Sequence, residues 1–168
     1  FTKFTISRDT PFPSISVFDG SIVFSAPRDQ SVQLWSVGTK GGAPKPITPN
    51  VEIALNPRSI PGGVLFQSYD KNRGMSVWQT DLAGSAARAL LPGTAATLVD
   101  AARDGSFLLF DKVDVDDGVW LLPLKGGQPR NLGPQIRTAL ISPDASRILV
   151  YELAATPDGL MRPTIKIL

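Results

Sequence analysis

The 168-residue chain carries 17 Lys and Arg against 15 Asp and Glu, and has no histidine and no cysteine. The missing residue types exclude a Ser-His-Asp or Cys-His site within the chain, zinc held by His or Cys, and a disulfide framework. Balanced charge without a basic run leaves no nucleic-acid footprint, no apolar stretch reaches the length of a membrane-crossing helix, and 42% hydrophobic residues argue against general disorder.

Phe1 to Ile6, FTKFTI, alternates apolar and polar residues and is expected to form one strand ahead of the first repeat. Ser7 to Pro13 reads as a loop. Ser14 to Val17 and Ser21 to Ser25 are expected strands, Arg28-Asp29-Gln30 a loop, Val32 to Val37 a strand with Trp35, and Lys45 to Thr48 an outer strand. Val51 to Leu55 comes next. Pro61-Gly62-Gly63 then turns into Val64 to Phe66, the charged loop Tyr69 to Gly74 follows, and Met75 to Thr80 carries Trp78. Leu82 to Leu91 is Ala-rich and helix-like in composition. Gly84 and its place in the chain favour an outer strand over Ala87 to Leu91 instead. Further on, Thr97 to Val99, Phe107 to Phe110, Val119 to Leu122 and Arg130 to Leu132 read as strands. The last three expected strands are Arg137 to Ile141, Arg147 to Leu153 and Pro163 to Leu168, with a longer loop over Ala154 to Arg162.

These elements repeat. Trp35, Trp78 and Trp120 are separated by 43 and 42 residues, and Phe24, Phe66 and Phe110 precede them by 11, 12 and 10. Gly42, Gly84 and Gly127 follow the three Trp residues by six or seven. Then come Pro44-Lys45, Ala87-Arg88 and Pro129-Arg130. Several features in phase at a period near forty mark a repeat architecture, and four short strands per period mark the blade of a β-propeller. The predicted fold is all-β, with four-stranded antiparallel blades of about 42 residues at about 13–48, 51–91 and 94–132, and a partial fourth at 136–168. The unpaired ends leave three readings open: a piece of a larger propeller, a ring closed within the chain by strand 1–6, or closure through a second chain as a homodimer. The start at Phe1 rather than Met suggests a processed or excised piece.

Ser142-Pro143-Asp144 stands before the apolar strand Ile148-Leu149-Val150, and Asp104-Gly105 and Asp19-Gly20 hold the same position in their repeats. A Trp strand and a Gly-Gly-x-Pro-basic turn follow. This pattern resembles the TolB-type propeller repeat over nearly the whole chain. It departs from it at Ala145, where the motif has Gly, and at Asn56-Pro57-Arg58, where Ser-Pro-Asp is usual; both departures bear on turn geometry. The resemblance implies a non-catalytic module that binds a protein or ligand in a periplasmic or otherwise extracytoplasmic part of a larger bacterial protein. The alternative it implies is the accessory propeller of a prolyl-oligopeptidase-like serine peptidase, with the catalytic domain outside this chain.

The expected sites are loop sites. No cofactor is expected, and no catalytic residue. The loops between second and third strands offer Arg28, Asp29, Tyr69, Asp70, Lys71 and Arg73 as partner-binding candidates. Asp111, Asp114, Asp116 and Asp117 fall within seven residues and form a weak candidate for Ca²⁺, although the spacing is not that of an EF-hand. The Trp residues are expected to pack within or between blades, and Trp78→Ala to cost roughly 3–5 kcal/mol.

Overall fold

The computed structural model describes residues 14–48, 50–72, 74–85 and 87–168. Among these residues there is no helix, and fifteen strands follow one another along the chain. The strand expected at Phe1 to Ile6 lies outside the described residues. The chain divides into two compact units, Phe1–Gly93 and Thr94–Leu168.

In the first unit, β1 (Ile15–Phe18), β2 (Ser21–Arg28), β3 (Ser31–Gly38) and β4 (Lys45–Pro46) form an antiparallel meander. β5 (Ile53–Ile60), β6 (Gly63–Asp70), β7 (Gly74–Thr80) and β8 (Arg88–Ala89) form a second one. A single parallel bridge, Val32 to Ile53, links the two into one hydrogen-bonded sheet. Asp19-Gly20 closes the β1–β2 hairpin with φ of 45° and 72°, the left-handed pair that a two-residue hairpin turn requires.

The Phe-to-Trp spacings become cross-strand pairs. Phe24 lies opposite Trp35, and Phe66 opposite Trp78. Side chains alternate between the two faces of a strand, so the Trp78 strand places one face against the first meander. There Val64 and Phe66 pack with Val23, Leu34, Ile47 and Ala54, and Trp78 and Val51 lean on the edge of the cluster. Phe66 is fully buried. Trp78 is only partly buried, and its Nε1–H donates to Ser76 Oγ at 2.8 Å. The expected cost of Trp78→Ala therefore falls to about 2–3 kcal/mol, because part of the ring stays in water in the native state.

Asn56-Pro57-Arg58 does not form a turn. It lies inside β5 as a bulge between Leu55 and Arg58, with Asn56 at φ 52°. Proline has no N–H for the ladder, and a bulge is where a strand tolerates that. The bulge is held from the neighbouring meander: Ser14 Oγ accepts from Asn56 N–H at 2.8 Å, and Ser16 Oγ from Ser59 N–H at 2.9 Å. The turn itself is Pro61-Gly62. The outer strand expected over Ala87 to Leu91 shortens to β8, since only Arg88 and Ala89 register with β7. Before it, Asp81 accepts from Ser85 N–H at 2.9 Å and from Ser85 Oγ–H at 2.6 Å, tying a turn rather than a helix.

In the second unit, β9 (Ala96–Ala101), β10 (Phe107–Lys112), β11 (Val119–Pro123) and β12 (Arg130–Gly133) form a four-stranded antiparallel sheet. β13 (Ile136–Ile141), β14 (Ile148–Ala155) and β15 (Met161–Ile167) form a three-stranded one. Phe110 again lies opposite Trp120, with ring centroids 6.3 Å apart. On the other face of that sheet, Leu109, Val119 and Leu121 pack with Ile136, Ala139, Ile148 and Val150. Asp100 Oδ2 accepts from Ile141 N–H at 2.9 Å, matching the Ser16–Ser59 link of the first unit. The loop expected over Ala154 to Arg162 is shorter. β14 runs to Ala155, β15 starts at Met161, and Thr156 donates both N–H and Oγ1–H to Leu160 O, at 2.9 and 2.8 Å.

The substitution of Ala145 for the motif glycine leaves the turn intact. Ala102 N–H donates to Phe107 O and Gly105 N–H to Ala102 O, both at 3.0 Å. Ser142 to Arg147 and Ala145 to Ser142 repeat those bonds at 2.9 Å. Asp104 Oδ1 accepts from Ser106 N–H, and Asp144 Oδ1 from Ser146 N–H, at 2.9 and 3.2 Å. Gly105 has φ 69° and Ala145 φ 57°. Alanine there stands in the left-handed region at a cost of roughly 1–2 kcal/mol. Ala145→Gly should recover about 1 kcal/mol, less the added freedom of the unfolded chain. A urea melt of the variant checks this, with a rise in midpoint expected.

Candidate functional site

In the second unit the β10–β11 loop, residues 113–118, projects beside the start of β13. Its base is fixed by a small network. Trp120 Nε1–H donates to Asp117 Oδ1 at 2.9 Å, and Lys112 Nζ donates to Asp117 Oδ2 at 3.2 Å. The same Lys112 ammonium lies 3.6 Å from the centroid of the Trp120 ring, where the π face attracts a cation. Partial burial pushes the Asp117 carboxyl up, but the bonds from Trp120 and Lys112 and the ammonium charge outweigh it and hold the group below the usual carboxylate range. Asn131 Nδ2–H donates to Asp117 O at 2.5 Å and completes the anchor.

Above this base is a cleft of about 370 Å³. It is lined by Asp111, Lys112, Val113, Asp114, Asp116 and Arg137, among others. Asp116 pairs with Arg137. Asp114 is exposed, and Val113 and Val115 stand apolar in solvent beside it. Asp111 is the unusual group. It sits within β10, opposite Val119 on one side and Thr97 on the other. Its Oδ1 is buried without a hydrogen-bond partner. Burial pushes its carboxyl up, and the backbone N–H groups of Asp111 and Thr97 offset only part of that. An unpaired carboxylate oxygen in such a position costs stability.

The sign of this cost is testable through pH. Asp111 has a folded-state pKa raised above its unfolded value, so the native state carries the penalty once both states are ionised, and loses it below the ordinary carboxylate range. Asp111→Asn is therefore expected to be more stable than the parent at neutral pH, with the gap closing as the pH falls through the raised folded-state pKa and gone below the ordinary carboxylate value of about 4.

In the first unit, Tyr69 and Asp70 lie at the end of β6 and join Asn50, Val51, Glu52, Ser68, Ser76 and Trp78 around a cleft of about 200 Å³. Asp70 Oδ1 accepts from Asn72 N–H at 2.7 Å, which shapes the turn that exposes Lys71. Arg28 closes β2 with its guanidinium 5.8 Å from the centroid of the Trp35 ring, and Asp29 occupies the following turn at φ 53°. Of the expected partner-binding residues, then, Tyr69 and Asp70 share a cleft and Arg28 is drawn to Trp35. Arg73 lies outside the described residues.

The four aspartates of the acidic loop do not converge. Asp111 belongs to β10, Asp116 turns to Arg137 and Asp117 to Trp120 and Lys112. Among the described residues no group of three or more acidic side chains is placed to hold a metal ion. Sequence reasoning does not single out Arg137, Lys112, Asn50 or Glu52. The cross-sheet pairing of Arg137 has no signal there, whereas the position of Lys112 two residues past Phe110 places it on the Trp120 side of the loop.

No family model matches the chain, and no curated protein matches it. Solved structures do. TolB from Acinetobacter baumannii is 15% identical with a TM-score of 0.65, over 94% of this chain and 40% of that one. The β-propeller domain of the Trilobed protease from Pyrococcus furiosus is 14% identical with a TM-score of 0.64, over 94% of this chain and 54% of that one. Oligogalacturonate lyase from Vibrio parahaemolyticus is 15% identical with a TM-score of 0.61, over 89% of this chain and 46% of that one. At this identity the similarity establishes the fold: the chain folds as TolB-like and related β-propellers do. It spans about half the length of these structures.

Proposed function

We propose that the chain is a non-catalytic propeller module that binds a partner at the ends of its sheets, where second and third strands connect. Its four strand groups are read as three full blades and three strands of a fourth, in an extracytoplasmic part of a larger bacterial protein. One observation carries the binding reading: Asp111 keeps a buried, unpartnered carboxylate oxygen at the wall of an open cleft. A local rule broken with only partial compensation in the fold is where a functional demand is expected. Lys112 and Arg137 are already neutralised by Asp117 and Asp116, so the charge left for a ligand is that of Asp111 and Asp114. With Val113 and Val115 beside them, the cleft suits a cationic group on an apolar stem, such as a lysine side chain of a protein partner.

An NMR titration tests this, with N-acetyl-lysine methylamide as probe and the uncharged norleucine compound as control. Shifts confined to the amides of Asp111 to Gly118, seen with lysine alone and lost in Asp111→Asn, are expected. Equal shifts with both compounds, or none in this loop, would refute it.

A second reading has a specific observation behind it, the similarity to the propeller domain of a protease. There the module would be the accessory propeller of a prolyl-oligopeptidase-like serine peptidase. A hydrolase segment encoded beyond Leu168 would favour that reading.

A further inference from the structure

We propose that the exposed face of the last sheet, β13–β15, is a docking surface for the β1–β3 face of a second copy of this chain. Next to their first turns the two sheets of the second unit are equivalent in register. β9–β10 and β13–β14 share one turn geometry, with Ala101 registering to Leu108 and Ile141 to Ile148. That alignment makes Leu149 the counterpart of Leu109. The cross-strand partners then follow: Ile165 corresponds to Val119, and Ile167 to Leu121. Leu109, Val119 and Leu121 are exposed by 0, 1 and 6%, because the next sheet covers them. Leu149, Ile165 and Ile167 are exposed by 40, 68 and 62%. Leu140 and Tyr151 lie on the same exposed face, and Leu140, Leu149 and Ile167 line a groove of about 280 Å³. A contiguous apolar face of this kind marks an interaction surface.

The chain itself carries the complementary face. In the first unit the sheet face with Phe66 and Trp78 packs onto the aliphatic face of the preceding meander, Val23, Leu34 and Ile47. The counterparts of Phe66 and Trp78 in β1–β3 are Phe24 and Trp35, with Ile15, Val17 and Ile22 in register on the same side. Ile15 and Val17 are exposed by 62 and 53%. One face is thus an aliphatic acceptor and the other an aromatic donor, and together they form the kind of contact that already holds the first unit together. Because the two faces differ, the contact is heterologous, head to tail.

The test is solution mass by light scattering after size exclusion. The parent chain is expected to run at a multiple of its 18.0 kDa. Leu149→Lys/Ile167→Lys, and separately Val17→Lys, should each reduce it to one chain with the strand circular-dichroism spectrum retained. Mixed in equal amounts, the two variants should form a species of two chains and no larger, since one intact contact remains between them. A single-chain mass for the parent at every concentration would overturn the proposal. So would an association that either folded variant leaves unchanged, or a mixture that stays single. If the double variant loses its spectrum, Val17→Lys still decides the matter from the opposite face.

Discussion

Phe66→Ala is expected to cost the first unit about 3–5 kcal/mol, the range for removing a fully buried phenylalanine from a packed core. Phe66 has no exposed surface, and it joins the two meanders by packing with Val23, Leu34, Ile47 and Ala54. The void would open between two meanders that are also tied by the Val32–Ile53 bridge and by the bonds to Ser14 and Ser16, so they close around it only in part. Trp78 lies directly across the strand, with ring centroids 6.4 Å apart, yet is partly solvated. Its removal should therefore cost less than that of Phe66, although it is the larger side chain. Urea melts of the two variants give the order. A larger loss for Trp78→Ala would mean that the tryptophan, and not the phenylalanine, anchors the contact between meanders.

Gly118→Ala is expected to cost about 2–5 kcal/mol. Gly118 has φ +83°, where alanine is strained by roughly 1–2 kcal/mol. A Cβ there would also stand 2.0 Å from Gly133 O, so β12 must shift, which adds about 1–3 kcal/mol. The displacement would reach the anchor of the acidic loop, because Asp117 is the neighbouring residue and Gly133 registers with Val119. Gly159 is the control in the same unit. It has φ +78°, and a Cβ added there would meet nothing within 4 Å, so Gly159→Ala should show the backbone strain alone, roughly 1–2 kcal/mol. Equal losses in chemical denaturation would show that the close approach to Gly133 is relieved without cost.

The parts of the fold that are legible in the sequence are those set by local rules. Phe24, Phe66 and Phe110 fall opposite Trp35, Trp78 and Trp120 because a short hairpin fixes the register of its two strands. Asp19-Gly20 is legible as a turn because few residues tolerate its backbone angles, and Ser142-Pro143-Asp144 because proline presets φ and the Asp144 carboxylate accepts from the N–H two residues on. Asn56-Pro57-Arg58 misleads because the same proline that signals a turn also suits a bulge. Only the bonds from Ser14 and Ser16, about 42 residues away, tell the two apart. The candidate site is legible as a loop but not as a cleft. Four aspartates suggest shared ligation, yet Trp120, Lys112 and Arg137 divide them, and the Arg137 pairing depends on how one sheet packs on the next. The burial of Asp111 has no sequence signal, since alternation along β10 does not say how far the neighbouring sheet covers it.

A binding role for the cleft stands or falls with the stability of Asp111→Asn against the parent across pH, from neutral to below the ordinary carboxylate range. If the carboxylate is held at a cost for binding, the asparagine variant is more stable at pH 7, and the difference closes as acid protonates Asp111 in the parent. A variant less stable than the parent at pH 7 would contradict that role. Asp111 would then be a structural group whose partners in the folded chain outweigh its burial, and the cleft would lose its claim to be the binding site.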